Sequence, residues 1–178
     1  MADDKKEPWL NWLALTTIIF AVCATLSTFK GAGFSSRSLM SQSQASDQWA
    51  FYQAKAIKGY LYQMQLEKLD LELRGVTHLS SPDVADAYRE KIADYHKKVD
   101  KYEQEKLGIQ QEAKHLELVR DEAQIHAKDF GIAVIYLQIA ILLSSIAGLL
   151  KKKLVWASGI ATGLVGLIYF ADGFFVLF

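Results

Sequence analysis

The sequence predicts an all-α fold, with three transmembrane helices and a long antiparallel coiled-coil helical hairpin between the first and the second. Two observations carry this prediction. Three long stretches of the 178-residue chain are nearly free of charged side chains. The segment between the first two stretches carries apolar residues at alternating steps of four and three, which is typical of a coiled coil.

The three apolar stretches cover residues 9–29, 132–150 and 154–178. The hydrocarbon core of a bilayer is about 30 Å thick and requires roughly 20 apolar residues in helical form. A helix forms its backbone hydrogen bonds within one segment, as lipid requires. We therefore predict three membrane-spanning helices after an N-terminal tail at residues 1–8. A signal peptide would share the charged start, but its apolar core would be shorter.

A basic loop, Lys151–Lys153, forms nearly the whole connection between the second and third spans. Basic residues in short loops stay on the cytoplasmic side of a membrane. Lys5 and Lys6, ahead of the first span, would lie on the same side. We therefore predict that the N-terminus and the basic loop are cytoplasmic and that the hairpin is periplasmic.

The charge balance behind this orientation is narrow. The five lysines assigned to the cytoplasmic side oppose four basic residues close to the spans on the other side. These four are Lys30, Arg37, Arg120 and Lys128. The inverted arrangement would place the long segment between the first two spans in the cytoplasm.

The hairpin is predicted at residues 30–131, with its turn near residues 75–82. Gly75 suits the end of a helix, and Ser81 followed by Pro82 suits the start of the next one. The apolar stripe of the first arm is Ala50, Ala54, Ile57, Leu61, Met64, Lys68 and Leu71. The stripe of the second arm begins with Tyr88, Ile92, Tyr95, Val99, Tyr102, Lys106, Ile109, Ala113 and Leu116 and continues to Phe130.

The charges of the hairpin are balanced and interspersed. Between Lys30 and Gly131 there are fifteen Lys and Arg residues against sixteen Asp and Glu residues. Without a basic stripe the segment has no surface suited to neutralising phosphates, so nucleic acid is not expected as a partner.

Several residues are candidates for contacts between helices or between copies of the chain. Aromatic residues that lie partly off the apolar stripes need cover, which a second subunit could provide. The predicted oligomer or coiled-coil contacts are Trp49, Tyr52, Ile57, Tyr60, Leu61, Met64, Ile92, Tyr95, Val99 and Tyr102. Small residues spaced by three or four let helices approach closely in lipid. The predicted packing positions, within one chain or between subunits, are Ala140, Ser144, Gly148, Gly159, Gly163 and Gly166.

Few residues could carry chemistry. Asp172 is the only ionisable side chain inside a predicted span, and is therefore a candidate for a pore or a proton relay. Its position near the far end of the span favours ordinary solvation at the interface over such a role. The four histidines, including His115 one turn after Glu112, lack the further ligands of a di-iron site. We expect no metal, no cofactor and no enzymatic activity.

The stretches WLNWLALTTIIFAVCATLSTFKG and FSSRSLMSQSQASDQWAFYQAKAIKGYLYQMQ, within residues 9–65, resemble bacterial membrane proteins grouped as domain-of-unknown-function family 4337. The resemblance covers essentially the whole chain: one span, a helical segment of about a hundred residues, and two closely spaced spans. It implies a bacterial inner membrane and a shared architecture, and it implies no functional residues.

Two functions of different classes fit the sequence. The first is a homo-oligomeric membrane scaffold whose hairpins associate with one another or with an unidentified protein, and whose spans contact lipid. The alternative is an ion-conducting or transport-associated oligomeric channel. The order of the spans also matches stator-like subunits of proton-driven motors, but this analogy rests on the fold alone.

Overall fold

A computed structural model describes residues 8–76 and 82–175 of the chain. The predicted turn near residues 75–82, with His78, lies mostly outside these ranges, as do most of the N-terminal tail and residues 176–178. The described chain forms three α-helices: α1 (Pro8–Val76), α2 (Pro82–Leu150) and α3 (Lys153–Phe175). All three are long and apolar enough to cross a membrane. The chain is therefore a multi-pass membrane protein.

The residues divide into two compact units. Unit 1 comprises Met1–Met40 and Val119–Phe178, and unit 2 comprises Ser41–Leu118. Unit 1 thus contains the first part of α1, the last part of α2 and all of α3. Unit 2 contains the remaining parts of α1 and α2.

In unit 1 the helices pack around a small core. Phe20 and Ala24 of α1 are buried against Leu137 and Ala140 of α2, and Leu167 of α3 packs against this cluster. The predicted small residues allow this close approach. A methyl group added at Gly166 would lie 2.8 Å from Leu137 Cγ, and one added at Gly159 would lie 3.2 Å from Leu143 Cβ. At Gly163 it would overlap the ring of Phe20.

The other predicted packing positions also lie at or near contacts within the chain. Ala140 and Ser144 are fully buried, and Ser144 Oγ would be 3.3 Å from a Cβ added at Gly159. Gly148 is half-buried, facing Leu13 of α1. Contacts between the helices of one chain therefore use all six positions.

The basic loop is a tight helix-to-helix connection. Lys151 has a φ of 52°, in the left-handed region that glycine usually occupies after a helix. The Lys152 amide donates to the Ala147 carbonyl at 3.2 Å, and the Trp156 amide donates to the Lys152 carbonyl at 3.5 Å. The first of these bonds is the one that closes a Schellman motif. All three lysines are exposed.

In unit 2, α1 and α2 lie antiparallel. The Trp49 indole donates to Glu117 at 2.9 Å, and Lys55 donates to Glu105 at 2.6 Å. Further along α1, the Tyr62 ring lies 5.6 Å from that of Tyr102. As residue numbers increase along α1, the numbers of the contacting residues on α2 decrease.

The two predicted stripes of unit 2 have different outcomes. From Tyr88 to Leu116, every position of the α2 stripe is buried or half-buried. The stripe predicted on the first arm, within residues 50–71 of α1, is exposed at all seven positions and is therefore not covered by α2. The face that α1 turns to α2 combines aromatic residues, such as Trp49 and Tyr62, with small ones. A Cβ added at Gly59 would lie 3.6 Å from that of Tyr102, at ordinary contact distance. Ala45 and Ala56 are buried on this same face.

We predict that Gly166→Ala destabilises the protein by about 1–3 kcal/mol, because the added methyl group overpacks a contact with Leu137. Thermal unfolding in detergent would measure this loss. Gly131→Ala is the matched control, since nothing lies within 4 Å of a Cβ added there. Equal unfolding temperatures for the two variants would contradict the packing described for α3.

We predict that Lys151→Gly stabilises the protein by about 1 kcal/mol, because a side chain at positive φ is strained and glycine removes that strain. The same unfolding assay would detect the gain. Lys153→Gly, at the first residue of α3, has no such strain to release and should give no gain. A gain from both substitutions would show that the strain at Lys151 is not its source.

Candidate functional site

Unit 2 presents an exposed apolar surface on α1, formed by Ile57, Leu61, Met64 and Leu71, which we call the α1 stripe. These side chains are between 56% and 67% exposed. They repeat at helical spacing and so share one face of α1. The α1 stripe is thus a continuous apolar surface on the side of α1 that turns away from α2.

The other predicted contact residues serve the pairing of α1 with α2 within the chain. Trp49 contacts Glu117 and stacks edge-on with Tyr52, at 5.6 Å between ring centroids. Tyr62, one of the aromatic residues off the predicted stripe that were expected to need cover, lies 5.5 Å from Tyr95 and 5.6 Å from Tyr102. Ile92 and Val99 are half-buried on the same face of α2.

Lys106 interrupts the apolar face of α2 and is nevertheless buried, with 8% of its surface exposed. Its ammonium group pairs with Glu103 at 2.7 Å and lies over the rings of Tyr52 and Tyr60, at 5.7 and 5.6 Å. The hydrogen bond to Glu103 raises the pKa of Lys106, although burial opposes it. A charge at this position is therefore accommodated by a carboxylate and two aromatic faces.

Unit 1 contains a second feature, a buried polar cluster formed by His126, Asp129 and Asp172. Asp129 of α2 is 8% exposed and Asp172 of α3 is 2% exposed. The His126 ring nitrogen Nδ1 lies 2.8 Å from the Gly173 carbonyl oxygen, to which it donates. The cluster therefore joins α2 to the last turns of α3.

The electrostatics of the cluster are unfavourable to charge on Asp129. Burial raises the pKa of this carboxyl, and the nearby charge of Asp172 raises it further. Lys128 and His126 oppose the shift. Asp129 Oδ2 is buried and has no hydrogen-bond partner among the described residues.

Aromatic side chains surround the same end of unit 1. Phe34 of α1 stacks on His126 at 4.5 Å, and the fully buried Phe130 meets Phe174 at 5.0 Å. The ammonium group of Lys30 lies 5.8 Å from the centre of the Phe174 ring. The polar cluster is therefore bordered by apolar rings from all three helices.

Asp172 was singled out from the sequence, but its partner Asp129 was missed. The positions of the two residues relative to the basic loop contained a signal for this proximity. Counting equal numbers of residues outward from the loop Lys151–Lys153 places Asp172 opposite the start of the second predicted span. Asp129 looked like one more charge of the water-exposed segment.

The remaining candidates lack an arranged site. Within residues 8–76 and 82–175, no group of three His, Cys, Asp or Glu residues could hold a metal ion. His96, His115 and Glu112 are exposed. Ser27 and Ser144 are fully buried in unit 1, and their hydroxyls have no partner among the described residues.

A family model described as Domain of unknown function (DUF4337) matches residues 9–176. No curated protein and no solved structure matches the chain. The match covers all three helices, and the protein therefore belongs to the DUF4337 family.

Proposed function

We propose that this protein is a homo-oligomeric scaffold of the bacterial inner membrane, without catalytic activity. In this proposal the α1 stripe of one copy packs against that of another, and the two-helix units form coiled-coil assemblies. The single observation that carries the proposal is the exposure of the α1 stripe. The family resemblance to bacterial membrane proteins supports the location.

The α1 stripe requires cover because it lies in the charged part of the chain. Fully burying one Leu, Ile or Met side chain gains roughly 1.5–3 kcal/mol. Leu61 and Met64 leave 56% and 65% of their surfaces uncovered. Large apolar patches exposed to water mark interaction sites.

A second copy suits this surface because membrane insertion gives all copies the same direction. Around a symmetry axis along the membrane normal, like residues then meet at the same height. The positions 50, 54, 57, 61, 64, 68 and 71 follow the heptad spacing that parallel helices need. Lys68 interrupts the heptads, and its ammonium group is 3.7 Å from Glu72. A charge at one such position fixes the register at a cost in stability.

We predict that the double variant Leu61→Glu, Met64→Glu dissociates the oligomer, because burying two carboxylates in an apolar contact is costly. Light scattering of the detergent-solubilised protein should then give the mass of one chain. The wild-type protein should give a multiple of it.

The matched control is Gln63→Glu, Gln65→Glu, which adds the same charge to the same turns of α1 at exposed positions beside the stripe. This control should keep the oligomeric mass. An unchanged mass for the Leu61→Glu, Met64→Glu variant would contradict the proposal. A wild-type mass of one chain would also contradict the proposal and would indicate that a different protein covers the stripe.

We further propose that the basic loop is cytoplasmic and that unit 2 is periplasmic. The three exposed lysines of a connection this short support this orientation. Lys151 supports it further, because a side chain at positive φ is not favoured by backbone conformation. The positive charge of Lys151 accounts for a lysine at this position, whereas its backbone conformation does not.

We predict that, in a Cys23→Ser background, a cysteine at Gln65 reacts with a membrane-impermeant maleimide on intact cells. A cysteine at Lys152 should react only after the cells are opened. Both side chains are exposed, so access to the reagent depends on the side of the membrane. The reverse labelling pattern would establish the inverted topology.

A further inference from the structure

The buried polar cluster of unit 1 is not used by the proposed scaffold. Its two carboxyls come from different helices, Asp129 from α2 and Asp172 from α3. Each is more than nine-tenths buried, since 8% of the surface of Asp129 and 2% of that of Asp172 are exposed. A neighbouring carboxylate disfavours the ionisation of a buried carboxyl. A charge this deeply buried must be paired, neutralised or hydrogen-bonded.

The groups around Asp129 do not fully provide that compensation. On α2 the charged or titratable neighbours are His126 and Lys128. On α1, Lys30 is turned to the ring of Phe174. The His126 Nδ1 proton is donated to the Gly173 carbonyl and is therefore not available to the carboxyls.

The unpaired oxygen of Asp129 is a separate indication. Asp129 Oδ2 is buried and, within the described chain, has no hydrogen-bond donor. A buried carboxylate oxygen without a donor carries the full cost of lost hydration. A proton on the carboxyl removes the charge and turns this group into a donor.

We propose that Asp129 and Asp172 form a proton-binding site that holds one proton between α2 and the last turns of α3. The ligand is a proton taken from water, and binding converts one carboxylate to a carboxylic acid. Because Asp172 precedes Gly173, whose carbonyl accepts from His126, the site lies beside a contact that fastens α3 to α2. Loss of the proton leaves a charge on the buried Asp129, whose Oδ2 has no donor within the described chain, and loosens this contact.

Infrared spectroscopy of the full-length protein in lipid nanodiscs tests the proposal. The carbonyl stretching band of a protonated carboxylic acid should persist to higher pH than the bands of the exposed carboxyls. The persistent band should disappear in Asp129→Asn. It should remain in Asp121→Asn, because Asp121 is exposed and its hydrogen bond with Arg120 lowers its pKa. A spectrum without a persistent band would overturn the proposal.

The variant Asp172→Asn separates a pair from a single buried acid. Without the charge of Asp172, the pH midpoint of the Asp129 band should fall. An unchanged midpoint would mean that Asp129 titrates alone, against the proposal. Replacing sodium by choline should leave the wild-type midpoint unchanged. A midpoint that depends on sodium would mean that the site takes a metal cation instead.

The pH dependence of unfolding provides a second readout. The folded protein binds the Asp129 proton more tightly than the unfolded chain does, because burial raises this pKa. The resulting stabilisation is complete below the ordinary pKa of an aspartate and is lost as the pH rises through the raised value. Hydrogen exchange at the end of α3 should therefore accelerate with rising pH beyond the intrinsic rate in the wild type. Asp129→Asn should remove this excess, and its persistence in that variant would contradict the proposal.

Discussion

The requirement that lipid-embedded backbone satisfies its own hydrogen bonds is the constraint on which the rest of the structure depends. It makes each apolar stretch a helix and leaves side-chain packing to bring the helices together. Lipid offers little hydrophobic force for that purpose, so contact area has to come from close approach. Gly163 and Gly166 of α3 provide it, because they leave room for Phe20 and Leu137. The interior of unit 1 is therefore built from glycine against large side chains.

The packing of small residues against large ones also explains which parts of unit 2 could be predicted from the sequence. The stripe on α2 is evident from the sequence because its residues, from Tyr88 to Leu116, are mostly large and regularly spaced, and all of them are buried or half-buried. The face of α1 that meets α2 is less evident from the sequence, because Ala45, Ala56 and Gly59 give little apolar signal. Its aromatic residues, Trp49 and Tyr62, lie off the predicted stripe. A search for large apolar residues found the opposite side of α1. The two helix faces are complementary here, because Gly59 of α1 lies against the large residue Tyr102 of α2.

The buried polar cluster shows a different limit of sequence reasoning. Asp172 stood out because its span has no other charge, whereas Asp129 lies among many charged residues of α2. The mean hydropathy of a segment indicates whether that segment lies in water or in lipid. It does not indicate whether one particular side chain is buried. Only the pairing of α2 with α3, set by the short loop at Lys151–Lys153, brings the two carboxyls together. Asp172 could be identified from composition alone, whereas identifying Asp129 required the registry between α2 and α3.

Exposed apolar side chains occur in both units, but they have different consequences. Leu149 and Leu154 are 85% and 83% exposed, and both belong to the charge-free stretches that lipid can surround. Leu61 is less exposed, at 56%, yet it belongs to a segment with balanced charges. The hydrophobic effect acts only where the alternative environment is water. The less exposed leucine of unit 2 is therefore the one that needs a protein partner, while the more exposed leucines of unit 1 do not.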